Sequence, residues 1–360
     1  MIRIMKTEAE VREEMQIAIL GATGYTGLEV VRLLHKHPEA EVTYVSSDSQ
    51  AGAELADVYP HLRGVLAYTL EGADPAEIAK RADYALVALP SGVSTNLVPG
   101  LLEAGVRVID LAGDHRLPDD VYAKWYKKQP PAPTVLERAV YGLPELYKSQ
   151  ITGASLIANP GCYPTATLLS LLPLVKNGLI DPHSLVIDAK SGVSGAGKAL
   201  SAGTHFVEVN ENFKAYKVGE HQHIPEIEQV LTDVNPSGEA VTISFTTHLV
   251  PMIRGILTTS YAKLTGSYST EDLLAVYREF YRDAPFVRLH SAGNFPQTRD
   301  VTASNFCDIG LRVDPRTNRV TVIGCIDNLV KGAAGQAIQN LNLLAGLPET
   351  TGLLNVPVYL

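Results

Sequence analysis

Cys162 is the residue of this sequence best placed to do covalent chemistry. It follows Asn-Pro-Gly and precedes apolar residues at helical spacing, so it falls where a strand gives way to a helix. Free N–H groups and the helix dipole favour an anion there, so we expect a thiolate populated near neutral pH and backbone groups able to hold an oxyanion. A buried, unreactive cysteine is the alternative that the residue type leaves open.

Two histidines, His221 and His223, lie within Gly-Glu-His-Gln-His-Ile-Pro-Glu-Ile. Folding could bring an imidazole to Cys162, to take the thiol proton and later return one to oxygen, with Glu226 orienting the ring or stabilising its charge. The residues alone leave open which of the two histidines takes this role, and His223 is in addition a candidate for substrate contact. A metal site and an inert structural histidine are the alternatives, but no third ligand cluster follows at metal-binding spacing, so no metal is expected.

Arg116 and Arg254 are the candidate anion-binding residues. Arg116 closes Ala-Gly-Asp-His-Arg after a predicted buried strand, and Arg254 lies in the turn Pro-Met-Ile-Arg-Gly. A guanidinium can hold a phosphate or a carboxylate through two parallel hydrogen bonds, so both are expected to bind substrate, although a surface salt bridge suits Arg116 equally well. Asn159 and Ser191 are further candidates for substrate binding.

The first element that must position these residues is a strand running into Gly-Ala-Thr-Gly-Tyr-Thr-Gly and then a helix. Gly21 allows a tight turn, Gly24 lets the backbone approach a pyrophosphate, and Gly27 lets the helix pack close to the strand. The placement between a strand and a helix favours dinucleotide binding over a merely tight turn.

The end of the second predicted strand, Glu41 to Val45, indicates which dinucleotide binds. An acidic residue that grips the ribose should lie there, but the strand ends in Ser46 and Ser47, whose hydroxyls suit a 2′-phosphate. NADP(H) is therefore predicted, although Asp48 could still reach a ribose. The predicted cofactor-binding residues are Gly21, Thr23, Gly24, Tyr25, Gly27, Ser46, Ser47, Pro90, Ser91 and Gly192.

A second glycine-rich stretch, Gly192 to Lys198, satisfies the Gly-x-x-x-x-Gly-Lys pattern of nucleoside-triphosphate loops. The next residue is Ala199, so the hydroxyl that would hold magnesium is missing, and no long amphipathic helix follows. A loop that contacts the reacting group fits better. An NTP-driven kinase and a non-catalytic dinucleotide sensor are the alternatives from other functional classes.

Composition limits the class of protein and its partners. A chain of 360 residues, 46% hydrophobic and 19% charged, can bury a sizeable core and predicts two domains. A net charge of −9 without a Lys/Arg run argues against nucleic acid, so small molecules are the expected partners. Three cysteines without a Cys-x-x-Cys pair, no export signal and no apolar run long enough for a bilayer predict a cytoplasmic protein without membrane contact.

The remaining pattern predicts an α/β fold. Continuous apolar runs at 84–89 and 106–111 indicate buried parallel strands, and 271–282 and 333–344 should be helices, the last packing back on the first domain. Segments 129–133 and 141–145 are expected only to connect and pack. Alternating strands typical of an antiparallel sheet are predicted at 241–249, 255–264, 305–313 and 320–326. The expected fold class is thus a Rossmann dinucleotide-binding domain with an α/β catalytic domain whose sheet is mostly antiparallel.

Five motifs together resemble the N-acetyl-γ-glutamyl-phosphate reductases of arginine biosynthesis, over nearly all of Met15 to Leu360. In chain order they read Gly-Ala-Thr-Gly-Tyr-Thr-Gly, Asn-Pro-Gly-Cys-Tyr-Pro-Thr-Ala, Ser-Gly-Val-Ser-Gly-Ala-Gly-Lys, Glu-His-Gln-His-Ile-Pro-Glu-Ile and Asp-Asn-Leu-Val-Lys-Gly. The resemblance implies kinship with aspartate-semialdehyde and glyceraldehyde-3-phosphate dehydrogenases. It implies Cys162 as nucleophile, His221 as acid/base and Asn328 near the nicotinamide.

The resemblance also implies a reaction. Cys162 attacks the acyl carbon of N-acetyl-γ-glutamyl phosphate, phosphate leaves, and the thioester is reduced with NADPH to N-acetyl-glutamate 5-semialdehyde. The nearest rival is the related reductase of carrier-linked aminoadipyl phosphate in lysine biosynthesis, but a basic groove for an acidic carrier is not evident.

The expected organisation follows from the same resemblance. A homotetramer or homodimer is expected. The predicted domains are an extension at 1–14, an NADP-binding Rossmann domain at 15–161 with 328–360, and a catalytic and dimerisation domain at 162–327.

Overall fold

The structure is a computed structural model that describes residues 14–359. The predicted extension at 1–14 lies outside the described residues except for Glu14. The strands of the first sheet are β1 (Met15–Leu20), β2 (Ala40–Ser46), β3 (Tyr84–Val87), β4 (Arg107–Asp110), β5 (Ala139–Tyr141) and β6 (Leu156–Ala158). The helices between and after them are α1 (Tyr25–Leu34), α2 (Leu55–Val58), α3 (Pro75–Ala79), α4 (Ser94–Glu103), α5 (Asp119–Tyr126), α6 (Pro133–Leu136), α7 (Pro144–Ile151) and α8 (Cys162–Lys176).

The first sheet is parallel throughout, with strand order β2-β1-β3-β4-β6-β5. Both of its faces are covered, which is why its strands are continuous apolar runs. Ile17 and Ile19 of β1 pack in one cluster with α1, while Ala18 and Leu20 point to the other face and pack with α4. The carboxyl ends of the strands, where a doubly wound sheet binds ligands, therefore meet at one edge.

The second sheet is mixed, so the expectation of a mostly antiparallel sheet is only partly supported. Its elements are β7 (Leu185–Gly192), α9 (Phe206–Val209), β8 (Lys214–Tyr216), α10 (His223–Val234), β9 (Ile243–Val250), β10 (Ile256–Lys263), α11 (Thr270–Phe280), β11 (Val287–Leu289), β12 (Cys307–Asp314) and β13 (Arg319–Ile326). The strand order is β11-β12-β13-β10-β7-β9-β8, and the pairs β7–β9 and β11–β12 are parallel. The long segment from β7 to β9, which contains α9, β8 and α10, gives the crossover that a parallel pair needs.

Helix α8 carries Cys162 at its start and lies in the core of the second sheet. Every residue from Tyr163 to Val175 is buried, and its leucines pack in one cluster with α10 and α11. A helix that is apolar on all sides must be enclosed by other elements, and this enclosure fixes the position of its first residue.

The chain returns to the first sheet at its end. A π-helical turn at Val330–Ala334 leads into α12 (Gly335–Leu344), whose apolar side chains share a cluster with β1 and α1. Every residue of α12 is buried, including its Gln and Asn side chains. In residues 14–359, no helix is both long and apolar enough to cross a membrane.

The segments expected only to connect and pack contain structure that sequence reasoning missed. Segment 129–133 ends on the first residue of α6, and segment 141–145 contains the last residue of β5 and the start of α7. Strand β5 has three residues that are only partly buried, so it shows no alternation that a pattern search could detect.

Candidate active site

Loops from both sheets line one cleft of about 910 Å³. We name two groups of residues in and beside it. The glycine-turn cluster consists of Gly21, Thr23, Gly24, Ser47, Ser49, Tyr59 and Lys198, and the thiol cluster consists of Arg116, Tyr141, Gly161, Cys162, His223 and Glu226. The cleft also contains Tyr25, Pro90, Ser91, Asn159 and Asn328, all predicted site residues.

The glycine turn has the close packing that a dinucleotide site requires. Gly21 has φ +85°, and a Cβ on it would lie 2.5 Å from the carbonyl oxygen of Ala88. A Cβ on Gly27 would lie 2.2 Å from the Gly21 carbonyl oxygen, so neither position accepts a side chain. Helix α1 starts after Gly24 with no side-chain cap and no acidic residue in its first turn. These features fit a pyrophosphate bound at the helix N-terminus.

The end of β2 differs in detail from the prediction. Ser46 is buried and outside the cleft lining, and its carbonyl oxygen accepts hydrogen bonds from the N–H groups of Gly21 and Ala22. Ser47 does line the cleft, 2.8 Å from the hydroxyl of Thr23. The Asp48 carboxylate accepts a hydrogen bond from the N–H of Ala73 at 3.1 Å. Ser46 thus supports the turn through its backbone rather than by the predicted side-chain contact.

The Cys162 thiol lies at the start of α8, as predicted, but its burial opposes the predicted thiolate. Burial raises the pKa of Cys162 to about 11, because the N–H of Tyr163 and the positive charge of Arg116 lower the pKa by less than desolvation raises it. The helix start therefore does not by itself populate the thiolate. A proton acceptor is needed to activate this sulfur.

His223 is the histidine that reaches the thiol cluster. A Cβ placed on Gly161 would lie 2.5 Å from Nε2 of His223 and 2.9 Å from Nη1 of Arg116, so the two side chains converge on the residue next to Cys162. Burial, with the positive charge of Arg116, holds the pKa of His223 well below its usual value. The imidazole is therefore neutral at pH 7 and able to accept a proton.

His221 lies outside the cleft lining, unlike His223. Its ring packs edge-on against Tyr163, Tyr216 and Phe245, and its Nδ1 accepts a hydrogen bond from the backbone N–H of His223 at 3.2 Å. Burial lowers the pKa of His221 to about 2. The turn before α10 thus directs His221 into the core and His223 toward the cleft, which favours His223 as the proton acceptor.

Glu226 does not contact either histidine through a hydrogen bond, in contrast to the predicted orienting role. Its carboxylate accepts hydrogen bonds from the N–H of Gly161 at 2.8 Å, the hydroxyl of Tyr141 at 2.8 Å and Nη1 of Arg116 at 3.3 Å. It thus fixes the backbone beside Cys162 and the guanidinium together. Tyr141 was missed by sequence reasoning, and nothing in its local pattern could have identified it.

The two arginines have different surroundings. Arg116 lines the cleft and is held by the Leu111 carbonyl oxygen at 2.8 Å and by Glu226. Arg254 is outside the lining and within ion-pair distance of Glu29, at 3.0 Å, and of Asp327, at 3.3 Å. Two carboxylates thus already face the Arg254 guanidinium, an arrangement that does not favour the predicted substrate contact.

The loop after β7 differs from the prediction as well. Ser191 is buried, with its hydroxyl bonded to the carbonyl oxygen of Gly192, and neither residue lines the cleft. The lining starts at Ser194 and ends at Ala199. Strand β7 runs into a 3-10 turn at Val193–Ala196 rather than a long helix, so the loop lacks the geometry of a nucleoside-triphosphate site.

Two amide side chains cross-link the walls of the cleft. Asn328 accepts a hydrogen bond from the N–H of Gly255 at 2.7 Å and donates to the Ser194 hydroxyl at 2.9 Å. Asn159 is fully buried and accepts a hydrogen bond from the Asn340 side chain at 3.0 Å. These contacts tie both sheets to the loops that carry the site.

Further lining residues were missed by sequence reasoning. Tyr126 stacks on Tyr122 and lines the cleft near Arg116, and Lys198 lines it near Thr23. Lys198 ends the Gly-x-x-x-x-Gly-Lys pattern, so that motif was a signal that could have identified it. Within residues 14–359, no group of three or more His, Cys, Asp or Glu side chains is arranged to hold a metal ion.

Two family models match the two halves of the chain. A model described as "Semialdehyde dehydrogenase, NAD binding domain" matches residues 16–154, and one described as "Semialdehyde dehydrogenase, dimerisation domain" matches residues 162–328. A protein of Symbiobacterium thermophilum named N-acetyl-gamma-glutamyl-phosphate reductase is 56% identical over 96% of this chain and 99% of its own length. One of the same name from Bacillus cereus is 50% identical over 96% of this chain and 100% of its own length.

Solved structures show the same fold at low sequence identity. Aspartate semialdehyde dehydrogenase II from Vibrio cholerae, complexed with ASA, has a TM-score of 0.70 at 19% identity, covering 93% of this chain and 99% of that one. Aspartate semialdehyde dehydrogenase with NADP from Candida albicans also has a TM-score of 0.70 at 19% identity, covering 92% of this chain and 98% of that one.

Proposed function

The chain belongs to the N-acetyl-γ-glutamyl-phosphate reductase family, and we propose that it uses NADPH to reduce N-acetyl-γ-glutamyl phosphate to N-acetyl-glutamate 5-semialdehyde, with release of phosphate, in arginine biosynthesis. One observation carries this proposal. A single cleft holds the glycine turn and a cysteine at a helix start, with Arg116 and His223 beside that cysteine.

The first half of the reaction is acyl transfer to sulfur. His223 takes the thiol proton as the Cys162 sulfur attacks the acyl carbon, because the free thiol is protonated at neutral pH and the imidazole is neutral. The carbon–oxygen bond to phosphate then breaks, phosphate leaves, and a thioester to Cys162 remains. Arg116, held by Glu226 and Leu111, faces the reacting centre with a fixed positive charge that suits an anionic substrate.

The second half is reduction of the thioester. NADPH, when bound, supplies a hydride to the acyl carbon. The resulting oxyanion collapses, the carbon–sulfur bond breaks, and the aldehyde leaves. The proton held by His223 then returns to the Cys162 sulfur. The glycine turn, the first turn of α1 and Ser47 are the groups proposed to hold the dinucleotide, with Asn328, Pro90 and Ser91 near its nicotinamide end.

The domain division proposed for the chain is a Rossmann domain at 15–161 with 328–360 and a catalytic and dimerisation domain at 162–327. Two features support it, since α12 shares a hydrophobic cluster with the first sheet and α8 shares one with the second.

A cytoplasmic homotetramer or homodimer is proposed in addition. The segment after β7 exposes a group of large apolar side chains that a subunit contact would cover, namely Leu200, Phe206, Val207 and Phe213.

The decisive experiment runs the reaction in reverse. The purified chain is given NADP, phosphate and one of three aldehydes, N-acetyl-glutamate semialdehyde, aspartate semialdehyde or glyceraldehyde 3-phosphate, and NADPH absorbance is followed. Only the first should be turned over well. Brisk turnover of either other aldehyde would refute the substrate assignment, and NADPH binding without any turnover would refute catalysis itself.

A further inference from the structure

Lys198 reaches from the loop after β7 to the glycine turn of the other sheet. Its Nζ donates to the carbonyl oxygen of Thr23 at 3.3 Å and to the hydroxyl of Tyr59 at 2.8 Å. The same nitrogen lies 4.4 Å from the centre of the Tyr59 ring. A long, flexible side chain is thus anchored at one place in the cleft, beside the residues proposed to hold the dinucleotide.

The partners of this ammonium group are all neutral. In the part of the chain from 14 to 359, no Asp or Glu oxygen lies within ion-pair distance of Nζ of Lys198, whereas Arg116, the other Lys or Arg side chain lining the cleft, is paired with Glu226. A cation that faces a cleft with only a carbonyl, a hydroxyl and an aromatic ring around it retains its capacity to bind an anion.

Thr23, whose carbonyl oxygen Lys198 contacts, also belongs to a group of hydroxyls that lines the same cleft at the end of β2. The Thr23 hydroxyl lies 2.8 Å from that of Ser47, which lies 3.5 Å from that of Ser49. In this fold the carboxyl end of the second strand is where the ribose 2′ position is recognised. The nearby Asp48 carboxylate is engaged by the Ala73 N–H. Hydroxyls combined with a lysine provide the chemistry of a phosphate site.

We propose that Lys198 and Ser47 together bind the 2′-phosphate of NADPH, so that a residue of the catalytic domain determines the preference for NADPH over NADH. This inference rests on the proposed function only for the identity of the cofactor. The N-terminus of α1 already serves the pyrophosphate. The charge of Lys198 is therefore available to bind the 2′-phosphate, the group that NADPH has and NADH lacks.

The test measures binding to the full chain in the absence of acyl phosphate. Dissociation constants are determined for NADPH and NADH by fluorescence, and for 2′,5′-ADP and 5′-AMP by displacement. Lys198→Met should raise the dissociation constants of NADPH and 2′,5′-ADP about tenfold or more, because a charge-assisted contact is lost. The dissociation constants of NADH and 5′-AMP should change by no more than about twofold. Lys198→Arg should retain most of the discrimination because it retains the charge.

Lys214→Met is the matched control. It removes the same charge from a lysine of the same segment that bonds to the Gly203 carbonyl oxygen and lies outside the cleft lining. It should leave all four dissociation constants unchanged.

Two results for Lys198→Met would overturn the inference. An equal loss of affinity for NADPH and NADH would show that Lys198 contacts a portion of the cofactor that both dinucleotides share. Unchanged affinity for both would show that Lys198 does not bind the cofactor. Failure of the wild-type chain to bind any dinucleotide would refute the cofactor and this inference together. Normal NADPH discrimination without reductase turnover would refute the reaction and leave the role of Lys198 standing.

Discussion

The glycine-turn cluster and the thiol cluster line one cleft, but they are built in different ways. The centre of the first is the short turn at 21–24, where Gly21 and, just beyond it, Gly27 allow close packing. The second is assembled from side chains far apart in the sequence, with Arg116 and Glu226 separated by 110 positions. Local geometry therefore shapes the cofactor side, whereas long-range packing shapes the chemical side.

The two clusters also differ in electrostatic cost. The Arg116–Glu226 pair has side-chain exposures of 5% and 0%, and removing one partner of a buried pair typically costs about 3–5 kcal/mol because a buried charge is left uncompensated. Lys198 contacts neutral groups near solvent, so its loss leaves no buried charge behind. We therefore expect removal of the Arg116 or Glu226 charge to lower the stability of the fold more than removal of the Lys198 charge.

The largest expected effect is a loss of turnover that leaves cofactor binding unchanged, so that it affects the thiol cluster and not the glycine-turn cluster. Cys162→Ser should lower turnover by about 10⁴-fold or more, because an alkoxide is far harder to form than a thiolate, while NADPH binding stays intact. Steady-state rates and a dissociation constant measure the two properties. Cys307→Ala and Cys325→Ala are the controls, since both residues are fully buried in strands and should lose stability rather than activity. Wild-type turnover by Cys162→Ser would refute the mechanism.

The next prediction compares two neighbouring histidines. His223→Asn should reduce kcat by about two to four orders of magnitude, the usual contribution of general acid–base catalysis. His221→Asn should reduce kcat less and lower the melting temperature, because its ring packs among aromatic residues. A greater catalytic loss at His221, in variants of equal stability, would restore the original assignment.

The ionisation of Cys162 gives a test without mutation. With a pKa of about 11, the thiol of the ligand-free chain should react with iodoacetamide about tenfold faster for each unit of pH between 7 and 10, because the thiolate is the reactive form. Mass spectrometry of the Cys162 peptide follows the reaction. A rate that levels off below pH 8 would show instead that the helix start stabilises the thiolate, as the sequence suggested.

The smallest expected effect concerns the two arginines. Arg116→Lys should raise KM or lower kcat about tenfold, equivalent to about 1.4 kcal/mol. The planar guanidinium contacts Glu226 and the Leu111 carbonyl oxygen and can still bind an anion, whereas a lysine ammonium group cannot make all three contacts. Arg254→Lys serves as the matched variant and should change stability more than KM, because its partners are Glu29 and Asp327. Similar changes of KM in both variants would contradict the placement of Arg254 outside the site.

Several features were predictable from sequence because they depend on residues close together in the chain. The glycine spacing at 21–27 specified a tight turn, and the change from an apolar run to helical spacing located Cys162 at the start of α8. The continuous apolar runs indicated the parallel strands of the first sheet. Each of these signals depends on the spacing of residues within one turn, helix or strand.

Tertiary structure alone decided which side chains meet. His221 and His223 have the same residue type and nearly the same neighbours, so no local pattern distinguishes them, and only the packing of the turn before α10 directs one of them to the cleft. The partners of Glu226 and Arg254 likewise come from distant segments. The pKa of Cys162 depends on how deeply the folded chain buries it, and desolvation outweighed the helix N-terminus for that reason.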